Sequence, residues 1–437
     1  MLSKRNTLAL WVTAALTAAV LILIVLIPEP RDSLRARVAK LQTEVVSRRF
    51  SRATFGGKTS PGNAWEEYGL AFSEAQAFQD LNGSIFEAFA AGNAATEDAA
   101  TALRLLAERA SVIEHLRLGT KRQDGQYPYA WDLVSQMRFP NGLDTIKVAN
   151  FTASQARVLT RDGHARQAMD LALDLTVFAG DLATNGTLFS DTMGAEVYSK
   201  ALDAIRDTIL SGKLAPEELA ELADRLETVE RDLPDQATAF SNETLVMGYS
   251  LLEYGRGVDN TKWIYLMMSN GGWRYGFSTE ALTVHFFEED AEFMKRAGKL
   301  GQMDFASATK EIEAIARDAD ASANPVRRSA AGDPHRASRG WHRSLTLHRT
   351  VLAKIRLLRA AALWKATGKL RKLPDPFGTD LMTKEEGGIL RIWSAGSDGK
   401  DQAGQGSWDL DPDGPSDIVL EIPLRLRCGP PDIPLNC

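Results

Sequence analysis

Asp144–Thr184 reads DTIKVANFTASQARVLTRDGHARQAMDLALDLTVFAGDLAT, and this stretch decides the class of fold. Two helical patterns, 144–162 and 165–184, flank a turn at Gly163. A connection that short makes neighbouring helices antiparallel, so the stretch reads as an αα-hairpin. The same texture extends in both directions. Further helices are expected near 62–80, 97–117, 189–211, 215–230, 233–255, 279–299 and 303–319. Several carry start signals: Ser60-Pro61 before the first, Ala215-Pro216-Glu217-Glu218 before 215–230, and Asp232 with Pro234 before 233–255. Strand-like alternation is scarce throughout 62–320, so the body is read as stacked αα-hairpins.

Composition sets the outer bounds. The chain has 437 residues, 44% hydrophobic and 25% charged, the ordinary balance of a folding polypeptide. Its length suggests about two or three domains. A net charge of -6 argues against nucleic acid as a general partner, since such binders carry a basic excess. The two cysteines, Cys428 and Cys437, exclude a Cys-rich zinc module and a disulfide-dense scaffold.

Toward the N-terminus, Leu8–Ile27 reads LALWVTAALTAAVLILIVLI, twenty residues without a charge. As a helix it would span about 30 Å, the thickness of a bilayer core. Pro28 and Pro30 end it, because proline cannot continue the backbone ladder. A cleaved signal peptide is the rival reading, but the run is long for a signal core and Leu26-Ile27-Pro28-Glu29-Pro30 offers no small-residue cleavage site. Residues 1–28 are therefore expected to be a single membrane anchor. Orientation pulls two ways: Lys4 and Arg5 precede the anchor, whereas Arg31, Arg35, Arg37 and Lys40 follow it. The charge count favours a cytoplasmic body, but long domains translocate despite such charges.

Residues 29–61 are read as a juxtamembrane helix and linker. Leu34, Val38, Leu41 and Val45 form one helical stripe, suited either to a short homodimeric coiled coil or to packing on the chain's own body. In the linker RATFGGKTSPGN, Gly57-Lys58-Thr59 is similar to the end of a phosphate-binding loop. Arg52 stands where the first glycine belongs and no strand precedes it, so that motif is rejected. Two aromatic clusters interrupt the helices: Tyr127, Tyr129, Trp131 and Phe139 within 122–141, and Trp263, Tyr265, Trp273, Tyr275 and Phe277 within 257–277. They suit a groove, a bilayer contact or packing beneath a loop.

Residues 321–340 read as a mobile polar loop, and 341–437 as a long helix followed by a β-rich tip. From Trp341 to Lys372 the chain has nine Lys or Arg and no acid. That run suits an acidic partner, a phospholipid surface or, within the chain, the ten Asp and Glu of 280–320.

No catalytic constellation emerges. The histidines are His115, His164, His285, His335, His342 and His348, without an HExxH pair. No GxSxG elbow, strand-borne dinucleotide fingerprint or Cys–His pair occurs.

Two family resemblances add to this reading. Ala156, Gly163 and Ala168 hold small-residue positions of the tetratricopeptide hairpin, and Trp65, Tyr68 and Gly69 resemble its first helix. The signature does not recur at a 34-residue period, so the resemblance implies stacked hairpins and a scaffold or peptide-binding shape. The second covers about the last 65 residues. Leu373-Pro374-Asp375-Pro376-Phe377-Gly378 is followed by Ile389–Trp393, then Ser394-Ala395-Gly396-Ser397-Asp398-Gly399, an acidic loop, and Asp417-Ile418. With strands expected at Ile389–Trp393 and Ile418–Ile422, this order resembles the C-terminal end of the major pseudopilins of type II secretion.

That resemblance implies a calcium ion ordering the loop, with Asp398, Asp401 and Asp417 as ligands by matching position. Asp409, Asp411 and Asp413 share the loop without a secure match. Calcium takes six to eight hard oxygens, which such a loop can supply. A solvated hairpin is the plainer alternative. The family's prepilin-peptidase site is missing, because the apolar run opens Asn6-Thr7-Leu8-Ala9 without a glutamate. The chain therefore resembles bacterial membrane-anchored proteins with a pseudopilin-like end rather than a pilus subunit.

The expectation is thus a mainly α protein: a transmembrane helix, an αα-hairpin body and a small C-terminal antiparallel β module. It is expected in a bacterial inner membrane with a periplasmic body, acting as a non-enzymatic scaffold that binds a protein partner. The alternatives are an accessory component of a type II secretion or pilus-like machine, and a cell-envelope enzyme with an unrecognised site. Outside the cytoplasm, Cys428 and Cys437 are expected to form a disulfide.

Overall fold

The computed structural model describes residues 30–50, 52–55, 59–76, 96–131, 137–257, 279–322, 334–378, 380–409 and 417–424. The expected anchor, all the aromatics of the 257–277 cluster, Asp411, Asp413, Cys428 and Cys437 lie outside the described residues. No helix among the described residues is long and apolar enough to cross a membrane.

The chain is mainly helical, with a small three-stranded antiparallel sheet near its C-terminus. In order come α1 (Pro30–Ser47), β1 (Ser60–Asn63), α2 (Ala64–Gln76), α3 (Thr96–Glu108), α4 (Ala110–Thr120) and β2 (Arg122–Asp124). Next are α5 (Gly142–Arg161), α6 (Ala165–Ala183), α7 (Leu188–Leu210), α8 (Pro216–Arg231), α9 (Gln236–Gly257) and α10 (Thr279–Gly298). The last elements are α11 (Phe305–Ala321), α12 (Pro334–Thr367), β3 (Met382–Glu386), β4 (Ile389–Ser394) and β5 (Ile418–Pro423).

Local chemistry explains three of the helix starts. Asn141 caps α5 by accepting the Leu143 N–H, and Asp304 caps α11 by accepting the Ser307 N–H at 2.9 Å. At α8, Pro216 occupies the first turn while the Glu218 carboxylate accepts the Ala215 N–H at 2.9 Å. The hairpin α5–α6 turns at Gly163 as expected, burying Ala156 and Ala168. A second close pair, α6–α7, carries Phe178, Leu182, Leu202 and Ile205 into the core.

Three details depart from expectation. The helix expected at 97–117 is two, α3 and α4, broken at Arg109, whose φ of −130° and ψ of 38° are non-helical. Residues 334–340 of the expected mobile loop form the first turns of α12, since proline fits the start of a helix. Finally, β1 and β2 pair in parallel, Ser60 opposite Arg122, within a region expected to lack strands.

The stripe on α1 is spent inside the chain. Leu34, Val38 and Val45 are buried with Leu245 and Leu251 of α9 and Phe287 of α10. Burying each such side chain contributes roughly 1.5–3 kcal/mol, an upper estimate. Tyr129 and Trp131 join the same cluster, stacked with Tyr127 at centroid distances of 4.7 and 4.8 Å along the series. These three aromatics of the 122–141 cluster thus pack with α1, α9 and α10, while Phe139 stays 40% exposed.

The basic helix α12 also pairs internally, but with different partners from those expected. Arg356 and Arg359 reach Glu230 and Glu227 of α8, and Lys354 reaches Asp203 of α7 at 3.6 Å. The reason is placement: α8 and α7 flank α12, whereas of the 280–320 helices it is chiefly α11 that packs on it. One continuous hydrophobic core runs from the hairpins through Ile355 and Leu358 of α12 to Ile392, Ile418 and Leu420 of the sheet.

Candidate functional site

The C-terminal sheet begins from a buried carboxylate. Asp375, 5% exposed, accepts the Phe377 N–H at 3.0 Å, the Ser394 hydroxyl at 2.6 Å and the Ala395 N–H at 2.8 Å. Three donors on one carboxylate tie the Asp-Pro-Phe-Gly turn to the end of β4. Sequence reasoning had missed β3. Its partner is β4, with Met382 opposite Trp393 and Glu386 opposite Ile389. Gly387 and Gly388, at φ +60° and +77°, make the two-residue connection that a tight hairpin demands. That Gly-Gly pair was the available signal, hidden because Met382–Glu386 is polar and exposed rather than apolar. The two expected strands, β4 and β5, are present and antiparallel, with Ser394 opposite Ile418.

Between β4 and β5 the loop folds around Gln402 and Asp417. Asp417, fully buried, accepts the Gly404 N–H at 2.9 Å and the Gln402 N–H at 3.2 Å. The Gln402 side chain returns the contact, accepting the Asp417 N–H at 3.2 Å, and donates to Asp398 at 3.0 Å. Asp401 accepts the indole N–H of Trp393 at 3.0 Å. Gly406 is required here, because a Cβ would lie 1.7 Å from the Asp417 carbonyl oxygen.

All three expected ligands therefore lie in one loop. Burial raises the Asp417 pKa, and the charges of Asp401 and Asp398 push in the same direction. This is a local excess of negative charge of the kind a divalent cation relieves. Each carboxylate, however, already takes an N–H donor, and no group of three or more His, Cys, Asp or Glu among the described residues is arranged to hold a metal. The described part of the loop satisfies its carboxylates with its own donors. Asp409 is exposed, and its neighbour Trp408 anchors the loop to the body, donating from the indole to Asp203 at 2.5 Å under the Lys354 ammonium.

A second polar centre had no signal in the sequence. Arg52, from the linker rejected as a phosphate loop, pairs with Asp181 of α6 and donates to the Gly119 and Thr120 carbonyls. Tyr68 of α2 donates to Asp181 at 2.6 Å. Burial opposes the guanidinium charge, but the Asp181 carboxylate outweighs it and Arg52 lies above its ordinary range. Beside this pair is an open cavity of about 440 Å³, lined by Arg49, Gln123, Asp124, Gln126 and Thr184 among others. Arg52 and Asp181 on its wall neutralise each other, and Asp124 accepts from the Asn63 amide and the Gln126 N–H.

Among the described residues no histidine joins a group that could hold a metal. His115 shares a contact of 3.1 Å with Glu67, and His348 is held down to about 4 by burial. No family model matches the sequence, and no curated protein or solved structure matches it.

Proposed function

We propose that this chain is a single-pass, membrane-anchored scaffold of a bacterial cell envelope, with its helical body and β tip outside the cytoplasm, where it binds a protein partner. The observation that carries this reading is α1. It begins three residues beyond Ile27, the end of the uncharged run, and its Leu34, Val38 and Val45 are buried against α9 and α10. An anchor joined to the body this way holds a helical surface at a fixed distance from the bilayer, which suits a scaffold. Alkaline carbonate washing of membranes tests it. The chain should stay in the pellet; release into the wash would sink the anchor, and with it the scaffold reading.

A second reading, an accessory component of a type II secretion or pilus-like machine, is favoured by the tip. A long helix, the Asp375 turn, an antiparallel sheet and an acidic loop follow each other as in the pseudopilin pattern. On this reading calcium would be taken up by the loop, with Asp398, Asp401 and Asp417 contributing after rearrangement. Co-purification of secretion components from detergent extract, lost when residues 373–437 are deleted, supports it; equal recovery with and without the tip contradicts it. An extracytoplasmic tail also suits the Cys428–Cys437 disulfide, which non-reducing mass mapping detects.

A further inference from the structure

The basic run of α12 and the residues after it divides into two parts that the fold treats differently. Lys354, Arg356 and Arg359 are answered by Asp203, Glu230 and Glu227. Lys369, Arg371 and Lys372 are exposed, and their side chains take no hydrogen bond or ion pair among the described residues. Leu370, between them, is 40% exposed. Past Gly368 the chain runs back along α12, since the Pro374 carbonyl accepts from Arg356 at 2.8 Å.

Two more cations join this strip from the helix ends beside it. Lys365 donates to the Ile209 carbonyl of α7 at 2.8 Å. Lys213 donates to the Thr160 and Arg161 carbonyls of α5 at 3.0 and 2.8 Å. The C-terminal ends of α5, α7 and α12 thus gather at one end of the body. Most carboxylates around them are already engaged. Asp162 pairs with Arg161, Arg166 and Arg225 hold Asp170 and Glu221, and Glu218 accepts the Ala215 N–H. Glu217 and Asp380, both exposed, remain against five cations. In a chain of net charge -6 this is a local excess of positive charge.

Such a strip attracts an anionic partner, and its place in the fold selects which kind. Tyr249 donates to Gln42 and Arg48 donates to Asn242, so α9 is antiparallel to α1 and ends on the side of Pro30. At the other end of α9, Gln236 and Phe240 meet Ser344 and Trp341 of α12. That order sends α12 away from the C-terminal end of α9, for a further 367 − 344 = 23 residues or about 35 Å. The strip therefore lies at the end of the body away from Pro30. We propose that Lys213, Lys365, Lys369, Arg371 and Lys372 form a docking surface for an acidic segment of a partner protein, with Leu370 as its apolar contact. This rests on the anchored scaffold reading above and supplies the chemistry of the partner. Anionic phospholipid carries the same charge, but a strip turned away from the anchor does not meet the bilayer.

The probe is a fluorescein-labelled oligoglutamate peptide, its anisotropy read on titration with the full chain in neutral detergent. The parent should bind it, and more weakly as salt rises. Lys369→Gln, Arg371→Gln and Lys372→Gln combined should weaken binding about tenfold. Arg343→Gln, which removes an exposed cation near the start of α12, should leave binding unchanged. All four side chains are exposed, so the variants should melt with the parent. No binding by the parent, or equal binding by parent and triple variant, overturns the docking surface. Displacement of the peptide by phosphatidylglycerol doped into the micelles overturns it as well, by assigning the strip to lipid. The carbonate wash reads the anchor separately: a chain that stays in the pellet but fails these tests loses the strip and keeps the anchor.

Discussion

Arg52 and Asp181 meet in a two-pronged ion pair, Nε to Oδ1 at 2.7 Å and Nη2 to Oδ2 at 2.5 Å, although 129 residues separate them. The side chains are 12% and 3% exposed, and Tyr68 closes the arrangement from α2. This contact ties the linker after α1 to the central helix α6. Removing the Asp181 carboxylate leaves the guanidinium buried and uncompensated, so Asp181→Ala should cost about 3–5 kcal/mol. Tyr68→Phe removes one donor and should cost about 1 kcal/mol. Urea unfolding midpoints of the detergent-solubilised chain check both values. Equal losses from the two variants would show that the pair itself contributes little.

Asp375 offers a local counterpart. Its three accepted hydrogen bonds hold the turn against β4, so Asp375→Ala leaves the Ser394 hydroxyl and two amides without their partner. A loss of about 2–3 kcal/mol is expected, because bonds to a charged group exceed neutral ones. Ser394→Ala removes only one bond and should cost less. Hydrogen exchange should place the Asp375→Ala effect in β3–β5 and leave α5–α7 protected.

Asp290 on α10 should give the fold a measurable pH dependence. It is 2% exposed, its Oδ2 has no hydrogen-bond partner, and burial with the Glu243 charge pushes its pKa up to about 7. A carboxyl group raised on folding binds its proton more tightly in the native state. Its favourable contribution is therefore complete below about pH 4 and is lost as pH rises toward about 7. The span of about 3 units is worth about 4 kcal/mol at most. Asp290→Asn should be near neutral at pH 4 and stabilising at pH 8, read as the difference in unfolding free energy from the parent. His348, held down by burial, acts in the opposite sense over part of this range, so only the variant difference isolates Asp290. A difference that does not change with pH contradicts the assignment.

The calcium proposal gives a sharp outcome at the tip. Melting of the full chain should rise in millimolar calcium relative to chelator, since a ligand that binds only the folded state stabilises it by mass action. Asp398→Ala, which removes a partly buried carboxylate at the edge of the loop, should abolish the difference. An unchanged melting temperature in calcium would leave Asp398, Asp401 and Asp417 with only the donors they already take.

The helices were legible because their signals are local. Apolar spacing, the turn at Gly163, Pro216 with Glu218, and Asp304 all act within a few residues, and the corresponding helices begin and end close to where the pattern places them. The break at Arg109 was not legible, since Leu106-Ala107-Glu108-Arg109-Ala110 contains no glycine or proline. Nor were the partners of α12. Counting acids by sequence pointed to 280–320, but Arg356 and Arg359 answer to Glu230 and Glu227 because packing sets which faces meet. The loop's carboxylates were legible as a group through spacing and resemblance. Their pairing with Gln402 and Trp393 was not, because it depends on how the chain turns back at Gly404 and Gly406.

Protease added to intact spheroplasts tests the central claim most directly. An anchored chain with its body outside the cytoplasm should lose everything beyond the anchor while a cytoplasmic control survives. Cleavage should start at exposed segments such as Lys369–Lys372, between α12 and the sheet. Complete protection until the membrane is lysed would contradict the account: the body would then be cytoplasmic, on the side that Arg31, Arg35, Arg37 and Lys40 favour.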